Sequence, residues 1–216
     1  MHDPILTRKT DLVTGGIDSE TRLLAAIAYG EGSTGDVENE LAGMAHAVAN
    51  RAKAWNGRKV SEVIRDDPHY TYAVKYPNER YKLMQAASLD VINQSVGMRI
   101  AINAAREALS GTGDDPSNDA YWWDGIDLKD RRPTNLRIVY GFRYGEPSHN
   151  IFGMEPILKP TILYWQVRNK RTGEITNSKE RGRFDCAYIS RAAHGKTIFW
   201  RYHPDYVKAS GAKEYK

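Results

Sequence analysis

The stretch Ala26–Asp36, AIAYGEGSTGD, decides how the chain is read. An apolar run ends in Tyr29-Gly30-Glu31-Gly32, so that one carboxylate stands between two glycines. Helices end more often in glycine or a cation, because the unpaired carbonyls of the last turn make that end locally negative. A glutamate there is disfavoured in its ionised form by the dipole, and again by apolar neighbours. Both effects push its pKa up, and an acid held protonated near neutral pH is what glycosidic cleavage needs as a proton donor. The flanking glycines are expected to let a sugar and the backbone approach closely. The competing reading is a solvent-exposed glutamate at a frayed helix end, the usual situation of a carboxylate.

Working outward, Asp18 or Ser19 can cap a helix over 20–30, with Glu20 near its positive end. From Val37 to Trp55, Leu41, Met44, Ala45, Val48, Ala49, Ala52 and Trp55 recur at three- and four-residue steps. Glu38, Glu40, Asn50 and Lys53 take the opposite face, and His46 lies off the apolar stripe and is expected to be exposed. Asn56-Gly57 stops this helix; a short helix follows at 60–65, and a long one runs from Met98 to Leu109 with Gly111 as its stop. His69–Tyr72 and Tyr76-Pro77 read as loop. Thereafter Leu136–Tyr144, Thr161–Arg168 and Thr197–Tyr202 are rich in β-branched and aromatic residues, as strands are, and Asn169–Gly173 reads as a hairpin connection. The pattern predicts an α+β fold, helical first with short antiparallel strands in the C-terminal part. It divides as a flexible N-terminal arm over 1–18 and a single domain over 19–216.

Length agrees with one domain: 216 residues bury a good core but make two only uncomfortably. No window approaches eighteen consecutive apolar residues, so no membrane span is expected. The first residues, MHDPILTRKTDLVTGG, lack the apolar centre of a secretory signal. The net charge of +4 conceals an asymmetry, with 14 Lys and Arg against 20 Asp and Glu in residues 1–130, and 17 against 7 in residues 131–216. A basic last third suits a polyanionic partner such as nucleic acid, an acidic wall polymer or an acidic protein, or simply a solvated surface.

Further blocks carry a resemblance. Tyr29-Gly30-Glu31-Gly32, Gly35-Asp36 and a helix closing in Ala49-Asn50-Arg51 are followed by His69-Tyr70-Thr71-Tyr72. Then come Ala104–Gly111, Asp115-Pro116, Ala120-Tyr121-Trp122-Trp123 and Gly195–Trp200. In this order they resemble the SleB-like cell-wall hydrolases, from Leu23 to about Tyr202. The chain departs in having one extra residue between Glu31 and Asn50, Asp36 in place of a second Glu, and Thr197 in place of a His. Residues 128–190 have no counterpart and form a basic insertion.

The resemblance implies a lysozyme-like fold that cuts peptidoglycan glycan strands between N-acetylmuramic acid and N-acetylglucosamine, with Glu31 as the catalytic acid/base. A single acid favours a lytic transglycosylase, in which the sugar's own 6-hydroxyl completes the reaction. A hydrolytic muramidase needs a second carboxylate, for which Asp36 is the first choice and Asp124 the next. Thr71 and Tyr72 are expected to hydrogen-bond the acid or the sugar. Tyr121, Trp122 and Trp123 are expected to stack on sugars, although adjacent strand residues point in opposite directions and one should be inside. No cofactor is implied. His2, His69, His149, His194 and His203 lack ligand spacing, so no metal is expected. Cys186 with His194 or His203 would be a peptide-cleaving pair, but a buried structural thiol fits the strand-like Phe184–Tyr188 better.

The alternative class is a non-catalytic cell-wall or nucleic-acid binding module using the basic third; nucleic acid is the less expected ligand. Synthesis in the cytoplasm without an export signal, with action in the periplasm or cell wall, implies delivery by a secretion apparatus or release through a holin. The first route would bring a secretion-system component and an acidic immunity protein as partners.

Overall fold

A computed structural model describes residues 8–68 and 70–215, and shows a mixed α+β chain. Helix α1 spans Ser19–Glu31 and starts where Asp18 accepts the Thr21 N–H at 2.9 Å. Helix α2 spans Glu38–Ala54 and stops as Asn56 and Gly57 both turn to positive φ. Short helices follow: α3 (Val60–Asp66), α4 (Tyr72–Lys75), α5 (Glu79–Ala86) and α6 (Leu89–Gln94). Helix α7, Val96–Ser110, ends on left-handed Gly111. Leu24, Ile27, Met44, Val48, Met98 and Ile102 of α1, α2 and α7 form one buried cluster.

Strand β1 is Trp122–Asp124. Leu136–Tyr144, expected as a strand, is instead a helix, α8 (Leu136–Tyr140), followed by the two-residue strand β2 (Phe142–Arg143). Asn135 caps α8 by accepting the Arg137 N–H at 2.9 Å, and Gly141 at φ 79° breaks it. Strands β3 (Thr161–Arg168) and β4 (Ile175–Phe184) form an antiparallel ribbon turned at Asn169–Glu174. Strands β5 (Tyr188–His194) and β6 (Thr197–Tyr202) complete a four-stranded sheet ordered β1-β6-β5-β2, in which only the β2–β5 pairing is parallel. Helix α9, Pro204–Ser210, closes the chain. Phe184–Tyr188 is not one strand: β4 ends at its first residue and β5 begins at its last.

Two placements position the site. Gly43 of α2 lies where a Cβ would be 2.6 Å from the Phe199 ring, so α2 lies directly on β6. In β1 the register pairs Trp122 with Trp200 and Trp123 with Phe199. Strand alternation therefore sends Trp123 to the helical core and Trp122 to a second apolar cluster around Phe142, Tyr188 and Trp200. That second cluster includes Leu128, Phe142, Phe152, Met154 and Ala187, so part of 128–190 is core, while the β3–β4 ribbon is largely exposed.

Residues 8–18, expected within a loose arm, lie against α6 and α7. Val13 is buried and exchanges two hydrogen bonds with the Asn93 side chain. Arg99, Asn103 and Arg106 donate to the carbonyls of Thr10, of Lys9 and Asp11, and of Thr14 and Gly16 respectively. Residues 1–7 lie outside the described residues, as does His69.

Candidate active site

Glu31 is the last residue of α1, with Gly32 as its C-cap. Both flanking glycines face protein rather than open space, contrary to the expectation that they clear a path for sugar. A Cβ on Gly30 would lie 2.9 Å from Tyr81 Cβ and 3.1 Å from Ala73 Cβ, and one on Gly32 would lie 2.2 Å from Leu41 Cδ2. They are packing glycines that seat α1 against α4, α5 and α2.

The Glu31 carboxylate accepts the Ala73 backbone N–H at 2.6 Å on Oε1, and the Trp123 indole N–H points at Oε2 from 3.5 Å. No Lys or Arg among the described residues forms an ion pair with it. Burial pushes its pKa up; the Ala73, Trp123 and Tyr72 N–H groups oppose this, and the negative charge of Asp127 adds to it.

Glu31 sits where two cavities meet. One, of about 520 Å³, runs along Asp67, Tyr70, Trp122, Asp124 and Arg137; the other, of about 480 Å³, runs along Ser33, Glu40, Met44, Arg132 and Thr197. They share Glu31, Tyr72, Trp123, Gly125 and Asp127. A third hollow of about 390 Å³ extends past Tyr76 and Lys75. Tyr72 and Tyr76 stand exposed at its rim, ring centres 5.0 Å apart. The three cavities share lining residues and together form one groove, with Tyr72 and Asp127 common to all of them.

The expected site residues separate. Tyr72 and Trp122 line the groove with Glu31. Trp123, mentioned only as one of an aromatic run, is the tryptophan that reaches the acid. Thr71 is buried and does not face Glu31 with its hydroxyl, which accepts the Val74 N–H at 3.1 Å and caps α4. It serves the acid indirectly, since this cap fixes the turn that presents the Ala73 N–H. Tyr121 is buried outside the groove, its hydroxyl directed at Glu214 at 3.3 Å.

Asp36 is not placed as a second carboxylate. Its side chain is held by Arg80 at 2.7 Å and rests where a Cβ on Gly97 would be 2.3 Å from its Cγ. It anchors the loop after α1 to α5 and α7, and it lines none of the three cavities. Asp124 is in the groove wall but is clamped by Arg137 at 2.6 Å and Asn135 at 2.7 Å.

Three groups escaped the sequence reading. Glu40, assigned to a polar face, is 1% exposed and accepts from Ser33 Oγ at 2.5 Å, Thr197 Oγ1 at 2.8 Å and the Lys196 N–H at 3.1 Å. It ties the loop beyond Glu31 to the β5–β6 turn. Tyr70 donates to the Tyr121 carbonyl at 2.6 Å, lies edge-on to Trp123, and carries the Arg51 guanidinium 4.1 Å above its ring. Asp127 lines all three cavities, and no spacing pattern marked it.

His46, expected exposed, is buried, and burial holds its imidazole pKa down, so it is neutral at neutral pH. It lines a separate cavity of about 490 Å³ that shares no residue with the groove. Cys186 is buried with its pKa raised, while His194 bonds the Pro116 carbonyl and His203 caps α9, so no thiol–imidazole pair forms. Among the described residues no three His, Cys, Asp or Glu side chains converge as metal ligands, and no helix is long and apolar enough to cross a membrane. Comparison with known protein families, with curated proteins and with solved structures found no match.

Proposed function

We propose that this chain cleaves the glycan strands of peptidoglycan between N-acetylmuramic acid and N-acetylglucosamine, with Glu31 as the proton donor to the leaving oxygen. The observation that carries the reading is the setting of Glu31: half-buried, met only by N–H donors, raised in pKa, and lining both of two adjoining cavities. Such an acid keeps its proton at a pH where ordinary carboxylates have lost theirs, and transfers it as the glycosidic bond breaks. Trp122, Trp123, Tyr72 and Tyr76 supply the aromatic faces on which sugar rings stack. The resemblance to SleB-like hydrolases and its lysozyme-like fold belong to the same proposal. Digestion of purified cell walls tests it: the protein releases soluble muropeptides, and Glu31→Gln releases none.

The route implied by a single acid, closure by the sugar's own 6-hydroxyl in a lytic transglycosylase, asks nothing of any residue but Glu31. A muramidase needs a carboxylate other than Asp36, whose charge Arg80 already holds. Action in the periplasm or wall follows from the substrate, and delivery by a secretion apparatus or a holin belongs to the same proposal. An acidic immunity protein occupying the groove would then be the expected inhibitor.

One observation favours a second reading. The β3–β4 ribbon carries Arg168, Lys170, Arg171, Lys179, Arg181 and Arg183 beside exposed Tyr164 and Trp165. A binding module using this ribbon would show salt-sensitive binding to a polyanion that is indifferent to Glu31→Gln.

A further inference from the structure

The acidic side chains around the groove can be sorted by what already holds them. Asp36 is paired with Arg80, Asp67 with Arg51 at 2.8 Å, and Asp124 with Arg137. Glu40 is saturated by Ser33, Lys196 and Thr197. Each of these carboxylates is already engaged by a cation or by several donors. Asp127 differs: among the described residues its side chain has no ion pair and no hydrogen bond, and it is exposed in the same cavities as Glu31.

We infer that Asp127 is the catalytic base of this site, taking a proton from the water that completes hydrolysis of the bond Glu31 protonates; the inference rests on Glu31 being the proton donor. The step balances. The Glu31 proton passes to the glycosidic oxygen as the bond from the anomeric carbon to that oxygen breaks. A water oxygen bonds to the anomeric carbon, and its proton goes to Asp127. Proton exchange with solvent then restores both groups, and the net consumption is one water per bond. Asp127 sits in the short 3-10 turn Ile126–Asp130, which begins two residues after the strand carrying Trp123. That connection carries both the indole that meets Glu31 and the free carboxylate that shares its cavities.

The electrostatics agree with this division of labour. The charge of Asp127 raises Glu31 and also Asp124, so it reaches across the cavity to both. A half-buried acid and an exposed carboxylate sharing one groove are the kind of pair that acid–base hydrolysis uses.

The test is cell-wall digestion by wild type, Glu31→Gln, Asp127→Asn and Asp36→Asn, with fragment ends identified by mass spectrometry and folding checked by circular dichroism. The inference predicts reducing ends from the wild type and none from Glu31→Gln. Asp127→Asn should lose kcat by about 10²–10⁴-fold with KM little changed, and Asp36→Asn should retain the wild-type kcat. Release of 1,6-anhydro ends by the wild type, or an Asp127→Asn enzyme as fast as wild type, overturns the role of Asp127 while leaving Glu31 as the acid. A wild-type protein that releases no fragment overturns both.

Discussion

Oε1 of Glu31 lies 2.6 Å from the backbone nitrogen of Ala73, so the last side chain of α1 is held by the first turn of α4 rather than by any cation. A neutral donor holds the carboxylate while stabilising its anion less than an Arg or Lys at that distance would.

This arrangement has a thermodynamic sign. Glu31 has a folded-state pKa above its unfolded value, so the folded protein binds the extra proton more tightly. The stability it contributes is present below the unfolded carboxylate pKa and is lost as pH rises through the raised value. Glu31→Gln should therefore raise Tm at pH 7. The gain should shrink at pH 4. Thermal melts at both pH values check this; a lower Tm at pH 7 would contradict it.

Trp123 donates toward the ionised form of Glu31, and that lowers the Glu31 pKa against the effect of burial. Trp123→Phe removes the donor while keeping a ring in the core. The alkaline limb of the kcat/KM pH profile should move to higher pH. A limb that stays in place or moves down would show that the indole does not act on the acid.

The Asp36–Arg80 pair fastens a loop, since Arg80 also donates to the Tyr29 carbonyl and covers the Tyr29 ring. Asp36→Asn should cost roughly 1 kcal/mol of unfolding free energy with kcat/KM unchanged. Urea denaturation and wall digestion measured side by side separate the two, and a catalytic loss without a stability loss would put Asp36 back in the site.

Gly32 leaves no room for a methyl group, because Leu41 and the Ala28 carbonyl already fill the space. Gly32→Ala should destabilise the protein by about 1–3 kcal/mol, and denaturant unfolding reads this directly. Near-wild-type stability would mean that Leu41 moves aside freely.

The main helices were legible because each carries its own start, period and stop. Asp18 opens α1, the three- and four-residue steps of Leu41 to Ala52 make α2, and Gly111 ends α7. The strands Thr161–Arg168 and Thr197–Tyr202 were equally plain from side-chain type. Leu136–Tyr140 misled because its β-branched and aromatic residues were overruled by the Asn135 cap and by the burial of Arg137 against Asp124.

Glu31 itself was legible from its awkward place at a helix end. What surrounds it was not. Whether Glu40, His46 or Asp36 is buried, paired or free depends on contacts with Thr197, Asp115 and Arg80, which lie 157, 69 and 44 positions away in sequence. Thr71 was placed in the right segment with the wrong atom: the backbone two residues on, not its hydroxyl, meets the acid.

The central claim, that Glu31 donates the proton that breaks glycan strands, is tested most directly by muropeptide release from purified cell walls by wild type and Glu31→Gln at equal concentration. The account predicts steady release by the wild type and none above buffer by a folded Glu31→Gln. Release by Glu31→Gln at the wild-type rate would contradict it.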